Sequence, residues 1–233
     1  MNIKIFADGA EISQIKEAYS EGLVDGFTTN PTLMRKAGIT NYLDFATEVL
    51  AEIKEMPISF EVFSDDFDEM YVQAKKLAAL GENVYVKIPI TNTKGEFSAD
   101  LFKRLDQEGI QMNITAVFSI TQIKNLLKLL NSENSHIISV FAGRVADTGE
   151  DPVLLMKTAL ELIKYHSPSL ELLWASPREV LNVYQADQIG CDIITITPDL
   201  INKLKLRGKD IDDYSLETVK MFYRDAQEAG YTL

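Results

Sequence analysis

A lysine lies in the middle of a segment that otherwise has the composition of a buried strand. Lys87 is preceded by Val84-Tyr85-Val86 and followed by Ile88-Pro89, and β-branched and aromatic residues favour strands. An isolated charge is costly to bury, and a lysine can avoid part of that cost by losing its proton. The free amine is a nucleophile that can form a Schiff base with a carbonyl compound. The alternative is a lysine that pairs with a carboxylate or extends to the strand end, and this segment alone does not choose between the two.

Polar residues also occur in the first, third and fifth predicted strands. Asp8, Glu61 and Thr115 each stand out from aliphatic neighbours that occupy the opposite face of the same strand. In a barrel, one face of every strand points toward the axis. We therefore expect Asp8, Glu61, Lys87 and Thr115 to meet at one axial site near the carboxyl ends of the strands, with Asn113 on the same face as Thr115.

Hydroxyl and guanidinium groups follow the next two strands. Ser139 and Arg144 come at or after the sixth strand, and Ser176 and Arg178 come after the seventh. These groups could hold a phosphate by charge-assisted and hydroxyl hydrogen bonds. Alternatively, each arginine pairs with a nearby surface acid such as Asp147, and this alternative is stronger for Arg178 than for Arg144.

The elements that must position these residues alternate between short apolar runs and amphipathic stretches. Eight such pairs predict a single α/β domain over residues 1–233, a closed (β/α)8 TIM barrel. An open doubly wound sheet is the alternative, but no glycine-rich dinucleotide fingerprint follows the first strand. The predicted strands lie near residues 3–7, 23–28, 58–63, 83–88, 110–116, 137–141, 171–175 and 191–196.

One more helix is predicted beyond the eight units, from about residue 215 to residue 229. Its apolar residues recur at helical spacing and form one stripe. We expect this C-terminal helix either to close the barrel or to contact another subunit. The stripe comprises Leu216, Val219, Phe222, Tyr223 and Ala226.

Composition excludes several classes of function. The chain of 233 residues has a formal net charge of -12, which opposes general binding to nucleic acid or to an anionic membrane. Its N-terminus does not resemble a signal peptide, and no apolar run reaches transmembrane length, so a cytoplasmic location is expected. Cys191 is the only cysteine, which excludes an intramolecular disulfide. His136 and His166 lack metal-ligand spacing and are interpreted as surface or strand-entry residues, so no metal is expected.

With these residues assembled, the chain resembles the transaldolase family, in particular its small-subunit branch, which also contains fructose-6-phosphate aldolase. The resemblance covers nearly the whole length and implies a barrel that carries its Schiff-base lysine on the fourth strand. It rests on four motifs that occur in order at strand ends, namely Gly26-Phe27-Thr28-Thr29-Asn30-Pro31-Thr32, Val86-Lys87-Ile88-Pro89, Asn113-Ile114-Thr115-Ala116-Val117-Phe118 and Gly143-Arg144.

The resemblance implies a role for each candidate residue. Lys87 would form the Schiff base, and Asp8 would handle the proton of the substrate hydroxyl whose loss breaks the carbon–carbon bond. Glu61 and Thr115 would hold the water that shuttles protons during formation and hydrolysis of the Schiff base. The residues implied to bind the sugar and its phosphate are Thr28, Asn30, Asn113, Ser139, Phe141, Arg144, Ser176 and Arg178.

Two positions separate transfer from simple cleavage within this family. Members resembling transaldolase carry glutamate and phenylalanine, as Glu61 and Phe141 do here, whereas the aldolase-like members carry glutamine and tyrosine. A tyrosine hydroxyl beside the relay water would change proton delivery to the bound enamine and favour early release of a ketone. Phenylalanine removes that donor, so the bound unit can wait for an aldehyde acceptor.

The sequence therefore predicts a transaldolase of the pentose phosphate pathway that needs no cofactor. It would transfer a dihydroxyacetone unit from sedoheptulose 7-phosphate or fructose 6-phosphate to glyceraldehyde 3-phosphate or erythrose 4-phosphate. The alternatives are a lyase of the fructose-6-phosphate aldolase type and a non-catalytic protein that binds sugar phosphates. The resemblance also implies a homo-oligomer, a pentamer or decamer, in which the C-terminal helix contacts a neighbour.

Overall fold

The computed structural model of the chain describes residues 1–232 and contains two compact units, Met1–Ile201 and a second that starts at Asn202. In the first unit, eight parallel strands close into a barrel in the order of the sequence. The predicted TIM barrel is therefore confirmed. Its strands are β1 (Lys4–Asp8), β2 (Gly26–Thr28), β3 (Ile58–Glu61), β4 (Val84–Pro89), β5 (Met112–Val117), β6 (Ile137–Val140), β7 (Glu171–Trp174) and β8 (Ile193–Ile196).

Within the first unit, helices follow the strands and cover the outside of the barrel. Apolar side chains on the outward faces of the strands, such as Phe60, Val86 and Ile114, are completely buried. Across both units, the helices of residues 1–232 are α1 (Ile12–Ser20), α2 (Pro31–Lys36), α3 (Tyr42–Glu52), α4 (Phe67–Ala78), α5 (Ala99–Gln107), α6 (Ile120–Leu127), α7 (Ala142–Ala146), α8 (Pro152–His166), α9 (Leu181–Gln188), α10 (Pro198–Leu204) and α11 (Ile211–Glu228).

The amino-terminal part of the barrel interior is apolar. Phe6, Ile137, Leu173 and Ile193 form one buried cluster together with Ala175. Each lies on the inward face of its strand, and Phe6, for example, shares that face with Asp8 two residues further on. This cluster fills the amino-terminal part of the barrel. The polar side chains at the strand ends are therefore accessible only from the carboxyl side of the barrel.

A glycine on β2 makes room for the largest side chain of this cluster. A Cβ atom built on Gly26 would lie 2.6 Å from Cε1 of Phe6 and 2.8 Å from the carbonyl oxygen of Pro57. Real Cβ atoms do not approach other heavy atoms this closely, so a larger residue would displace the Phe6 ring or the backbone. The glycine that opens the first family motif is thus required by packing inside the barrel.

Two short helices, α2 and α7, are absent from the sequence prediction. Asn30 caps α2, because its side-chain oxygen accepts a hydrogen bond of 3.0 Å from the backbone N–H of Leu33, and Pro31 occupies the first helical turn. Both helices begin within three residues of a strand end. They are too short to display a helical repeat of apolar residues, which explains why periodicity did not reveal them.

His136 is buried, so its interpretation as a surface residue is wrong, while its position directly before β6 fits a strand entry. Its side chain is 1% exposed. Its Nδ1 accepts a hydrogen bond of 3.1 Å from the backbone N–H of Met112, and its Nε2 lies 2.7 Å from Oδ1 of Asp106. Burial lowers the pKa of His136, which favours the neutral ring that these two contacts require.

The second unit consists mainly of α11, which begins earlier than predicted. Asp210 caps it, since its side chain accepts hydrogen bonds from the backbone N–H groups of Asp212 and Asp213. No residue of α11 is buried. Its exposed apolar side chains include Val219, Phe222 and Tyr223.

None of the helices within residues 1–232 has the length and apolar character needed to span a membrane.

Candidate active site

A cavity of about 580 Å³ opens at the carboxyl ends of the barrel strands. Eleven of the twelve candidate residues from the sequence line it, and Asn113 is the exception. The convergence of polar side chains from so many strand ends is typical of the functional face of a TIM barrel. The candidates at the cavity wall are Asp8, Thr28, Asn30, Glu61, Lys87, Thr115, Ser139, Phe141, Arg144, Ser176 and Arg178.

Lys87 lies on β4 with its amine in this cavity. Only 7% of the residue is exposed. Its Nζ lies 3.2 Å from Oε2 of Glu61 and donates a hydrogen bond of 3.2 Å to the carbonyl oxygen of Thr29. Glu61 and Lys87 are register partners on adjacent strands, so the parallel pairing itself brings the amine and the carboxylate together. Lys87 therefore pairs with a carboxylate and also faces the cavity.

Tyr42, which the sequence analysis did not identify, holds Glu61 in place. The hydroxyl of Tyr42 accepts a hydrogen bond of 2.7 Å from the backbone N–H of Glu61 and donates one of 2.9 Å to its carbonyl oxygen. The short strand β2 pairs with β3 only as far as Ser59, so Glu61 lacks a strand neighbour on that side. The hydroxyl of Tyr42, from α3, takes the place of that neighbour. Burial raises the pKa of Tyr42, which keeps this hydroxyl protonated.

Asp8 is held by a pair of threonines. Thr28 donates a hydrogen bond of 2.8 Å to Oδ1 of Asp8, and its Oγ1 also lies 2.5 Å from Oγ1 of Thr195. Thr195 lines the cavity as well but is missing from the sequence-based candidates. It stands between Ile194 and Ile196 at the end of β8, which is the same pattern that identified the other inward-facing residues.

The two carboxyl groups share one cation. Burial raises the pKa of Asp8, while the charge of Lys87 and the hydrogen bond from Thr28 partly oppose that rise. Burial also raises the pKa of Glu61; Lys87 opposes the rise, and the negative charge of Asp8 adds to it. Both carboxyl groups can therefore hold a proton at higher pH than exposed acids do, which suits them to proton transfer.

Residues of β5 contribute to the site in two different ways. Thr115 lines the cavity, and its buried Oγ1 has no hydrogen-bond partner within the part of the chain that the structure describes. Asn113 is buried and does not line the cavity. Its amide donates to Oγ of Ser59 over 2.9 Å, and its carbonyl accepts from Oγ of Ser139 over 2.6 Å. Asn113 thus orients Ser139, which does line the cavity.

A close backbone contact joins the loops after β6 and β7. A Cβ atom on Gly143 would lie 1.5 Å from the carbonyl oxygen of Ser176, so only glycine fits at this position. Ser176 itself has a φ of 58°, a left-handed conformation that is uncommon for a residue with a side chain. This contact brings Arg144 and Ser176 to the same part of the cavity rim.

The two arginines at this rim have different surroundings. Arg178 forms a two-point ion pair with Asp147, in which Nε lies 2.8 Å from Oδ1 and Nη2 contacts Oδ2. Hydrogen bonding to Arg178 lowers the pKa of Asp147. Pairing with a surface acid, the alternative stated for Arg178, is therefore present. The guanidinium of Arg144 instead lies 5.7 Å from the ring centre of Phe141. Lys36 adds a further cation to the lining.

Across residues 1–232, no group of three or more histidine, cysteine, aspartate or glutamate side chains is arranged to hold a metal ion.

The sequence and the fold of this chain are both similar to those of known proteins. The chain is similar to proteins named "Probable transaldolase" from Syntrophobacter fumaroxidans and Thermoplasma volcanium. The first is 37% identical over 87% of this chain and 89% of the relative, and the second is 36% identical over 91% of each. Among solved structures, KGPDC from Streptococcus mutans aligns with a TM-score of 0.58 at 11% identity over 87% of this chain and 91% of that chain, which shows the barrel fold alone.

The family model "Transaldolase/Fructose-6-phosphate aldolase" matches residues 5–233, which is almost the entire sequence. The resemblance inferred from the four motifs is confirmed. The chain belongs to the transaldolase/fructose-6-phosphate aldolase family, and it is an enzyme of the aldolase/transaldolase type.

Proposed function

We propose that this enzyme is a transaldolase that moves a dihydroxyacetone unit from a ketose phosphate to an aldose phosphate through a Schiff base on Lys87. The donor would be sedoheptulose 7-phosphate or fructose 6-phosphate, and the acceptor glyceraldehyde 3-phosphate or erythrose 4-phosphate. The observation that carries the proposal is the buried amine of Lys87, 3.2 Å from the Glu61 carboxylate, in a cavity that Asp8 also lines.

In the first step, the unprotonated amine of Lys87 attacks the ketone carbon of the donor. The resulting carbinolamine loses water to give the protonated Schiff base. Loss of hydroxide needs a proton, and Glu61 is placed to deliver it because its carboxyl group lies beside the amine. The unpartnered hydroxyl of Thr115 supplies a hydrogen-bonding position for the water that is released.

Asp8 acts in the second step. Its carboxylate takes the proton of the hydroxyl on the second carbon from the Schiff-base carbon. The bond between this hydroxyl-bearing carbon and the carbon next to the Schiff base breaks, its electron pair moves toward the iminium to give an enamine, and an aldehyde leaves. The remaining enamine stays on Lys87. An acceptor aldehyde then forms the new carbon–carbon bond, Asp8 returns its proton to the developing alkoxide, and water hydrolyses the Schiff base.

Transfer requires that the enamine is not protonated before the acceptor arrives. Phe141 lines the cavity and has no hydroxyl that could donate a proton. Its ring packs against Phe118 at a centre-to-centre distance of 5.6 Å. This apolar contact favours survival of the enamine, and it supports transfer over the cleavage reaction of the aldolase-like members of the family.

The phosphate of either substrate would bind at the rim after β6 and β7. Arg144, Ser139 and Ser176 line this part of the cavity, and guanidinium and hydroxyl groups are the usual donors to phosphate. Arg178 would join them only if its guanidinium leaves Asp147 or contacts both anions. Thr28 and Asn30 would orient sugar hydroxyls at the opposite wall.

Borohydride trapping tests the proposal directly. Incubation with fructose 6-phosphate and borohydride should add a reduced three- or six-carbon unit to Lys87, identified by peptide mass, and Lys87→Ala should give no adduct and no turnover. Parallel assays with and without erythrose 4-phosphate then distinguish the reactions. An adduct with turnover that requires the acceptor supports a transaldolase, whereas acceptor-independent release indicates a lyase. Absence of an adduct would favour a non-catalytic protein that binds sugar phosphates.

The proposal extends to assembly and cellular role. A homo-oligomer, a pentamer or decamer, would bury the apolar stripe of α11, whose side chains are exposed within its own unit. Transfer between sugar phosphates belongs to the pentose phosphate pathway, and phosphorylated sugars are cytoplasmic metabolites. We therefore propose a cytoplasmic role in carbohydrate metabolism.

A further inference from the structure

We infer that Thr195 is a positioning residue that sets the direction of the Thr28 hydroxyl and thereby fixes which oxygen of Asp8 receives the substrate proton. The inference rests on the proposed function, because it concerns Asp8 as the proton acceptor during carbon–carbon cleavage.

The direction of these hydrogen bonds follows from the number of protons that each group can donate. A threonine hydroxyl can donate one hydrogen bond, whereas an ionised carboxylate can only accept. Thr28 Oγ1 lies 2.8 Å from Oδ1 of Asp8 and 2.5 Å from Oγ1 of Thr195. When Asp8 is ionised, the proton of Thr28 must point to Asp8. The short contact between the threonines then has Thr195 as its donor, and the chain runs from Thr195 through Thr28 to Asp8.

The fold holds the three side chains of this hydrogen-bond chain in fixed positions. Thr28 lies on β2 and Thr195 on β8, and these strands are the two neighbours of β1, which carries Asp8. Thr28 is 2% exposed and Thr195 is 6% exposed, so water competes little for either hydroxyl. Hydrogen bonds that follow one another in a dry environment polarise each other, and the donor from Thr195 strengthens the donor from Thr28.

The consequence concerns the second oxygen of Asp8. Because Oδ1 already accepts from Thr28, the substrate proton is received by Oδ2. Reversal of this hydrogen-bond chain would require Asp8 to donate to Thr28 and Thr28 to donate to Thr195. The Thr195 hydroxyl would first have to turn its proton away from Thr28. Thr195 therefore keeps the proton on Oδ2, where it is available for return to the acceptor aldehyde. It also favours the ionised carboxylate, in opposition to the burial that raises the pKa of Asp8.

The test compares Thr195→Val, which keeps the shape and removes the hydroxyl, with Thr195→Ser, which keeps the hydroxyl. The pH dependence of kcat/KM is measured for transfer from fructose 6-phosphate to erythrose 4-phosphate. Without the Thr195 hydroxyl, the hydrogen bond from Thr28 to ionised Asp8 is weaker. The acid limb of the Val variant should therefore move to higher pH, and kcat/KM on that limb should fall by about three- to tenfold. The Ser variant should keep the wild-type limb.

Borohydride trapping on Lys87 accompanies each variant, so that a failure of this inference can be told apart from a failure of the proposed function. A Val variant that forms the Lys87 adduct and keeps the wild-type acid limb would overturn the role of Thr195 and leave the transaldolase proposal intact. Absence of the adduct in the unsubstituted enzyme would overturn both. If the Val variant does not fold, Thr195→Ala takes its place, and the same shift relative to the Ser variant is expected.

Discussion

Arg144 and Arg178 have different surroundings at the same rim of the cavity. Both line the cavity, but Asp147 already holds two donor groups of Arg178. A phosphate would have to compete with that carboxylate. Arg144 faces the ring of Phe141 instead, so its guanidinium can accept an anion without breaking a two-point ion pair.

We therefore expect Arg144→Ala to weaken binding of phosphorylated substrates more than Arg178→Ala does. A charge-assisted hydrogen bond contributes about 1.5–3 kcal/mol, which corresponds to a rise in KM of about 10- to 150-fold. The measurement compares KM for fructose 6-phosphate with KM for unphosphorylated fructose in both variants. If Arg144→Ala affects both sugars equally, Arg144 does not contact the phosphate.

Alternation along strands was sufficient to locate the candidate residues at the axis of the barrel. Asp8, Glu61, Lys87 and Thr115 were expected on the inward face near the strand ends, and all four line the cavity. Thr195 follows the same rule, yet a threonine between isoleucines is also an ordinary strand former, so its hydroxyl did not stand out. The pattern identifies the face of a strand but not which polar groups bond to each other.

At the scale of elements, the end of β3 depends on a helix that is distant in the sequence. β2 has only three residues, so it ends before Glu61 can pair with it. Tyr42 compensates by accepting from the N–H of Glu61 and donating to its carbonyl group. Without Tyr42, two partly buried backbone groups beside Lys87 would lose their partner.

Tyr42→Phe should lower the free energy of unfolding by about 1–3 kcal/mol, because a partly buried donor and acceptor are left without a hydrogen bond from the protein. Urea denaturation followed by circular dichroism measures this change. Tyr165→Phe is the matched control, since Tyr165 is 94% exposed and its hydroxyl is open to solvent. Equal stability of the two variants would show that water replaces the Tyr42 hydroxyl at no cost.

Elements whose form depends on distant contacts could not be predicted from local pattern. The eight strands and the helices between them have clear periodicity, and all eight strands were expected near their observed positions. The short helix α7 is different, because the approach of Gly143 to the Ser176 carbonyl fixes its start. That contact joins two loops that are distant in sequence, so neither loop alone contains its signal.

For the whole molecule, fold and function are separable. KGPDC from Streptococcus mutans shares the barrel with a TM-score of 0.58 at only 11% identity, so packing of strands and helices can be achieved by very different residues. Membership of the transaldolase/fructose-6-phosphate aldolase family is shown instead by the match of the family model to residues 5–233. The net charge of -12 further requires that any anionic substrate be held by local cations rather than by the overall field.

The C-terminal helix α11 provides the test of assembly. Val219 is 59% exposed and Phe222 is 63% exposed, and apolar side chains gathered on one helical face typically mark a protein interface.

If this stripe joins subunits, Val219→Glu combined with Phe222→Glu should convert an oligomer of 26.2 kDa chains into a monomer, because two buried carboxylates without partners oppose association. Light scattering after size-exclusion chromatography measures the mass. Arg224→Glu, which adds negative charge on the side of the helix opposite Val219 and Phe222, should leave the oligomer intact. An unchanged mass in the double variant, or a monomeric wild-type protein, would contradict this role of α11.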